Sequence, residues 1–350
     1  MRIKKCRECG SSHWLAKSLI WNDNGTITNN YQPDFRTLII EADYLSEIFR
    51  RIEEALGVPI GHIVFEAHRN VAKEVLDLTL NRWRWLIRHV PGMERLATAY
   101  MGRMSVWTGQ GSSTSLDRET ALVRNPFNRD LYAAIVVGAL ESLRETPFDY
   151  RWKKVDGDDV IQVIPIGERP EIAERLTFTT PPAKPGTRSY ERCPKCGVPA
   201  LLKGLEWREN EGVIIDTRRG VRIVIQEVYT TVVVLRELAR ELGDDIYPVI
   251  IDAMREFSLE HIRKEYLAGE MMDKDKLYRE VLDTIALYGQ GNPVSCTAAG
   301  DRLTVVVENP FSEHVLAGHL SALYELAEGK IPKVTWDFTD SSTVVFDLEA

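Results

Sequence analysis

The most strongly patterned chemistry in this 350-residue chain lies in two short motifs. Cys6-Arg7-Glu8-Cys9-Gly10 recurs as Cys193-Pro194-Lys195-Cys196-Gly197. Two thiolates spaced by two residues can chelate one tetrahedral ion, and the following glycine permits the tight turn of such a knuckle. One pair supplies two of four ligands. Cys6, Cys9, Cys193 and Cys196 together would complete a closed structural zinc site, and zinc is the expected cofactor. The alternatives for the same thiols are a redox dithiol or unmetallated cysteines. His13 could serve as a third local ligand, but the second motif has no equivalent histidine. The remaining cysteine, Cys296, reads as an ordinary buried or partly buried thiol.

Other reactive residues are weakly patterned. Glu66 and Arg69 recur as Asp252 and Arg255. Residues three apart on a helix are neighbours, so a surface ion pair is expected, with a pocket-lining carboxylate as the sharper alternative. His62 and His68 fall in one expected helix, and His314 and His319 in another, at spacings that do not suit an i,i+4 metal pair. There is no nucleophile elbow and no Walker or dinucleotide glycine fingerprint. Gly109-Gln110-Gly111 reads as a helix cap before a strand. Arg82-Trp83-Arg84-Trp85, followed by Arg88, could suit single-stranded nucleic acid or a membrane surface. The expectation is plainer: a helix end that packs its tryptophans and solvates its arginines. This inventory favours binding over catalysis.

The elements that must position these residues occur twice. Trp21 followed by Gly25 recurs as Trp207 followed by Gly212, and Gly109-Gln110-Gly111 as Gly289-Gln290-Gly291. Asn125-Pro126-Phe127 recurs as Asn309-Pro310-Phe311, in the same order along the chain. Such self-similarity predicts two diverged copies of one unit. Thr179 to Gly186, with prolines at 181, 182 and 185, reads as a stiff linker. Copy one is therefore 1–178, the linker 179–186 and copy two 187–350. Each copy is expected to be α+β: a knuckle and β-hairpin, then a helix-flanked, mainly antiparallel sheet. Strands are expected over Trp14 to Trp21 and Leu201 to Trp207, with helices ending at Gly57, Gly243, Gly109 and Gly289. Asn309 is expected to cap a helix that begins at Pro310.

Composition bounds the rest. Apolar residues make up 44% and charged residues 27%, ordinary for a folded domain. The net charge of -8 argues against a dedicated nucleic-acid binder. No apolar run is long enough to span a bilayer, and the basic start lacks the apolar stretch of a signal peptide. The expected location is the cytoplasm.

Leu287-Tyr288-Gly289-Gln290-Gly291, then Thr304 to Phe311, Gly318 and a final strand pair through Val345 resemble the four-vinyl-reductase-type domain, also described as a hydrocarbon-binding or small-molecule-binding domain. Trp107 to Gly111 and Val123 to Phe127 resemble it more loosely. The resemblance covers about the last two-thirds of each copy and leaves out the knuckle. It implies an apolar pocket between helices and sheet and a unit that dimerises, here within one chain as an intramolecular pseudo-dimer. It also implies an apolar or amphipathic small-molecule ligand and a protein partner. The alternative it carries is a reductase, or accessory component, acting on a tetrapyrrole or aromatic substrate. The expected pocket lies in copy two. Ile250, Met254 and Phe257 would face the strand Leu303 to Val307, with Asp252 or His261 as the placed polar group.

Overall fold

A computed structural model describes residues 3–81, 83–169, 183–266 and 273–350. Arg82 and positions 179–182 of the expected linker lie outside the described residues. The first half runs α1 (His13–Ser18), β1 (Leu19–Trp21), β2 (Ile27–Asn29), β3 (Gln32–Glu41), α2 (Tyr44–Leu56), α3 (Gly61–Leu80), α4 (Arg84–His89) and α5 (Met93–Trp107). It continues with β4 (Ser112–Ser115), β5 (Thr120–Arg124), α6 (Arg129–Arg144), β6 (Phe148–Val155) and β7 (Asp158–Pro165). The second half opens with a 3-10 turn at Ala200–Leu202. Then come β8 (Leu205–Arg208), β9 (Val213–Asp216), β10 (Val221–Glu227), α7 (Val228–Leu242), α8 (Ile246–Tyr266) and α9 (Lys274–Leu287). It closes with β11 (Asn292–Ala299), β12 (Arg302–Glu308), α10 (Glu313–Glu328), β13 (Lys333–Asp340) and β14 (Thr343–Glu349).

The architecture is α+β, and the strand pairings are antiparallel. Each half contributes a four-stranded sheet, ordered β4-β5-β7-β6 and β11-β12-β14-β13. The third sheet joins the halves in the order β1-β2-β3-β10-β9-β8. At its centre Ile39 pairs with Ile225. Both are buried, because an apolar strand covered on both faces must exclude water from each.

Several repeated residues make the same contact twice, each time across the halves. Trp21 Nε1 donates to the Leu287 carbonyl at 2.9 Å, and Trp207 Nε1 to the Trp107 carbonyl at 3.0 Å. Gly25 lies against Gly291 and Asn292, and Gly212 against Gly111 and Ser112. Gly109 and Gly289 adopt φ of 77° and 79°. A Cβ there would meet the Ile223 carbonyl at 2.7 Å and the Thr37 carbonyl at 2.6 Å, respectively. Glycine serves both the left-handed backbone and the close approach. Each hairpin thus docks on the Gly-Gln-Gly loop of the opposite half.

Some local expectations differ from the structure. Residues 13–18 are helical because Ser12 caps them, its hydroxyl accepting from Leu15 N at 3.0 Å. Only Leu19–Trp21 remains of the strand expected from Trp14. Asn309 is not the helix cap. Ser312 is, accepting from Val315 N, while Asn309 and Asn125 adopt φ of 51° and 49°. Asparagine tolerates that region because its short side chain bonds locally. Here the turn aims the Asn309 carbonyl at Arg36 and the Asn125 carbonyl at Arg222, each 2.7 Å away in the other half. The helices end at the expected glycines; Gly57 has the left-handed cap conformation, whereas Gly243, at φ 87° and ψ 167°, does not.

Helices α3 and α6 pack together in the first half, and α8 and α10 in the second. Small residues set the approach: a Cβ on Gly318 would stand 2.5 Å from the Ile251 carbonyl. The Glu66–Arg69 pair belongs to the first of these contacts. Arg69 is only 2% exposed and also pairs with the buried Glu141 of α6, so the expected surface pair is instead an interior network. In the second half the corresponding Asp252 is 62% exposed, and Arg255 reaches Glu325 of α10 at 2.6 Å.

Candidate functional site

The knuckles meet. Cys6 and Cys193 Sγ atoms are 3.9 Å apart, Cys9 and Cys196 Sγ atoms 3.4 Å, and all four lie within 4.8 Å of one another. A tetrahedral ion with sulfurs at about 2.3 Å places them about 3.8 Å apart, so the four thiols could hold one metal ion. Each turn is built alike. Cys6 N donates to Ser11 O at 2.8 Å and Cys193 N to Val198 O at 2.9 Å; Gly10 and Gly197 N–H return to Cys6 and Cys193 carbonyls. Backbone N–H groups of Cys9 and Glu8 lower the Cys6 thiol to about 7, and those of Lys195 and Cys196 lower Cys193. Burial pushes Cys196 up to about 12, as expected when clustered thiols compete to stay neutral. His13 is exposed and outside this group, and Cys296, expected to be at least partly buried, is exposed.

The residues expected to bind ligand separate. Ile250 is buried in the main core, and Asp252 is on the surface beside Arg255. Met254, Phe257 and His261 border a cavity of about 40 Å³ shared with Glu41, Tyr44 and Arg219. That volume suits a water or two. Leu303, Val305 and Val307 are fully packed into the core and do not line this cavity. His261 bends back to its own helix, Nδ1 lying 3.0 Å from the Phe257 carbonyl.

A much larger cleft, about 650 Å³, opens in the first half among α4, α5, α6 and the β4-β5-β7 face. Its apolar wall includes Ile87, Met101, Ile135, Leu140, Ile161 and Val163. Its volume falls within the range of ordinary ligand pockets. The cause lies in α5. Counting back from the Gly-Gln-Gly motifs, Ala97, Thr98, Met101, Gly102 and Ser105 stand where α9 carries Leu277, Tyr278, Val281, Leu282 and Ile285. The α9 set is buried in the main core. Thr98 and Ser105, smaller than Tyr278 and Ile285, leave the space open, whereas Met101 is larger than Val281 and Gly102 lets β4 approach, a Cβ there meeting the Ser113 carbonyl at 2.8 Å. Comparing the copies at these five positions is the signal that would have placed the cleft from sequence. A separate groove of about 380 Å³ lies between α9 and β11, lined by Arg188, Asp275, Arg279 and Asp283 among others.

One buried polar side chain, Tyr132, belongs to the cleft lining. Tyr132 is 1% exposed, and its hydroxyl has the Ser105 and Ser113 hydroxyls as polar neighbours. Burial raises its pKa, and the neighbouring Ser105 and Ser113 hydroxyls pull it back. The lining also carries charge: Glu94 pairs with Arg118 at 2.9 Å and with Arg144 at 2.5 Å. Beside the cleft, the basic-aromatic motif reverses expectation. Trp83 and Trp85 are 57% and 66% exposed, while Arg88 is tied to the Ser142 and Leu143 carbonyls and to Glu145. The short α4 turns its apolar Ile87 inward, leaving the tryptophans outside.

No protein-family model and no curated protein matches this chain. Among the described residues no helix is long and apolar enough to cross a membrane.

Proposed function

We propose that this protein binds an apolar or amphipathic small molecule in the first-half cleft, and that one zinc ion on Cys6, Cys9, Cys193 and Cys196 staples the two halves together. The cleft carries the reading: about 650 Å³ of space whose wall carries an apolar part formed by Ile87, Met101, Ile135, Leu140, Ile161 and Val163. An apolar ligand covering that part of the wall would take its surface out of water, which is favourable. The resemblance to four-vinyl-reductase-type domains points to the same class of ligand. The contacts made twice across the halves support two diverged copies arranged as an intramolecular pseudo-dimer. Zinc at the knuckles would add directly to folding free energy, since its ligands come from both halves. A protein partner would read the occupied state. Leu96 and Tyr100, exposed on α5 where α9 has Lys276 and Glu280, offer it a surface.

The test has two arms. Protein purified without chelator should contain one zinc per chain, and its thermal midpoint should fall on chelation. Organic extraction and mass spectrometry should recover an apolar molecule, or a panel of apolar compounds should raise the thermal midpoint. Two metals per chain, or none, sinks the shared site. A midpoint that no apolar compound moves, with nothing extracted, sinks the binding function.

A further inference from the structure

Helix α5 is held unevenly along its length. Its C-terminal end is anchored to the other half: the Trp107 carbonyl accepts from Trp207 Nε1 at 3.0 Å, and the Thr108 carbonyl from Ile225 N at 2.9 Å. Further back, Gly102 lies against β4, where a Cβ would stand 2.8 Å from the Ser113 carbonyl. The N-terminal part, residues 93–101, is less supported. The buried residues of α5 are Gly102 and Ser105, both beyond it, whereas α9 buries Leu277, Tyr278 and Val281 over the equivalent stretch. Ala97 and Met101, each half-buried, touch the small core around Ile87 and Leu140. The helix starts after Gly92, which has no side chain with which to cap it.

One side chain ties this part down. The Glu94 carboxylate accepts from Arg144 Nε of α6 at 2.7 Å and from Arg118 Nη2 of the β4–β5 turn at 2.9 Å. Arg144 Nη2 also donates to the Arg118 carbonyl at 2.7 Å, so three elements meet at one point. Glu94, Thr98 and Met101, at helical spacing, line the cleft from α5, and Ile135 and Leu140 line it from α6. Three of the apolar lining residues, Leu140, Ile161 and Val163, are only 8%, 1% and 2% exposed, so a molecule that covers them must first displace what hides them. Of the two long helices, α6 buries eleven residues and α5 two, which makes α5 the one free to move. A released helical segment as short as 93–101 is not stable in water and unwinds.

We propose that residues 93–101 form a lid on the first-half cleft, hinged at Gly102 and latched by Glu94 onto Arg118 and Arg144. Glycine loosens a helix interior, which sets the hinge where α5 leaves its contact with β4. The lid rests on the cleft being the binding site and goes beyond it in fixing how a ligand enters. Opening is local, since the anchor at Trp107 and Thr108 stays in place. A latch that closes alike over an empty and a filled cleft changes the rates of entry and release together and leaves the affinity alone.

The experiment compares the full chain with Glu94→Gln, which keeps the shape of the side chain and removes the charge that two arginines share. Arg124→Gln, which breaks an exposed ion pair with Asp158 outside the cleft lining, is the control. Amide hydrogen exchange over residues 93–101 should quicken roughly 3- to 10-fold in Glu94→Gln, the effect of losing two partly exposed ion pairs. Exchange over residues 274–287 of α9 should not change, which also shows that the variant is folded. Stopped-flow fluorescence with N-phenyl-1-naphthylamine should show association and dissociation faster by the same factor, at a dissociation constant within about twofold of wild type. Unchanged exchange over 93–101, or a change no larger than in Arg124→Gln, overturns the lid. So does a lower affinity at unchanged association rate, because Glu94 would then be holding the probe and not the helix. If the probe binds neither wild type nor variant, the cleft is not the site, and the opening of 93–101 stands or falls on the exchange alone.

Discussion

Ser105→Ile is the sharpest probe of the division between the two halves. Ser105 is 8% exposed on the cleft-facing side of α5, and its hydroxyl donates to the Met101 carbonyl one turn back. Ile285, its counterpart, is 1% exposed in a filled core. Full burial of an isoleucine side chain is worth about 1.5–3 kcal/mol. Its lost rotamer freedom opposes this by about 0.5–1 kcal/mol, and serine and isoleucine have similar helix propensities. Because the cleft is open on one side, burial is partial, and a net stabilisation of about 0.5–1.5 kcal/mol is expected. Urea unfolding followed by tryptophan fluorescence should show a higher midpoint at unchanged slope. If instead the variant loses about 1–3 kcal/mol, the site was already close-packed. The explanation of the cleft by small α5 side chains would then be refuted.

The remaining predictions concern other parts of the structure. Met254→Trp should destabilise by about 1–3 kcal/mol in the same urea assay, because Met254 is 3% exposed and a Cβ on Gly318 would already stand 2.6 Å from its Cβ; wild-type stability would reveal space there. Gly289→Ala should cost more than the roughly 1–2 kcal/mol of a left-handed alanine, since its Cβ meets the Thr37 carbonyl, whereas Gly157→Ala, at φ 87° with nothing nearby, should cost no more than that; equal losses would argue against the close approach. His68, 3% exposed, is held neutral by burial down to about pH 3, while its ordinary pKa is 6.5. The unfolded chain therefore takes up the proton first, and stability is lost as pH falls below 6.5, by about 2 kcal/mol at pH 5 from this residue. His68→Met, which installs the residue found at 254, should flatten the wild-type pH dependence by that amount between pH 7.5 and 5, and parallel profiles for the two proteins would contradict it.

Much of the long-range arrangement was legible because repetition exposes what contact requires. Trp21 and Trp207, Gly109 and Gly289, and the two knuckles recur, and each makes a contact across the halves. The helix ends at Gly57 and Gly243 followed from the glycines alone. What misled was local reading without a partner in view. Asn309-Pro310 has the residue types of a helix start, yet the turn is held by Arg36 of the other half, 273 residues away. Strand β4, Ser112–Ser115, is polar and lies at a sheet edge, so it carries no apolar alternation to announce it. The cleft was sought in the second half, where the family motifs are clearer. Clear motifs there accompany a well-filled core. Space is marked instead by departures from the repeat, at Thr98 and Ser105.

The exchange of hairpins also sets a timetable for synthesis. The Trp21 indole finds its acceptor at Leu287, 266 residues later in the chain. At about 5–20 residues per second, a ribosome makes that stretch in roughly 13–53 s. For that interval the nascent hairpin lacks the loop on which it docks, for most of it β3 also lacks its partner strand β10, and Cys6 and Cys9 wait 187 residues for their counterparts. An unpaired β3, with Leu38, Ile39 and Ile40 in sequence, is an open edge while it waits. Slow translation near the join would lengthen that exposure. The emergence of residues 213–292 from the ribosome, and not the completion of the first half, is the event that ends it.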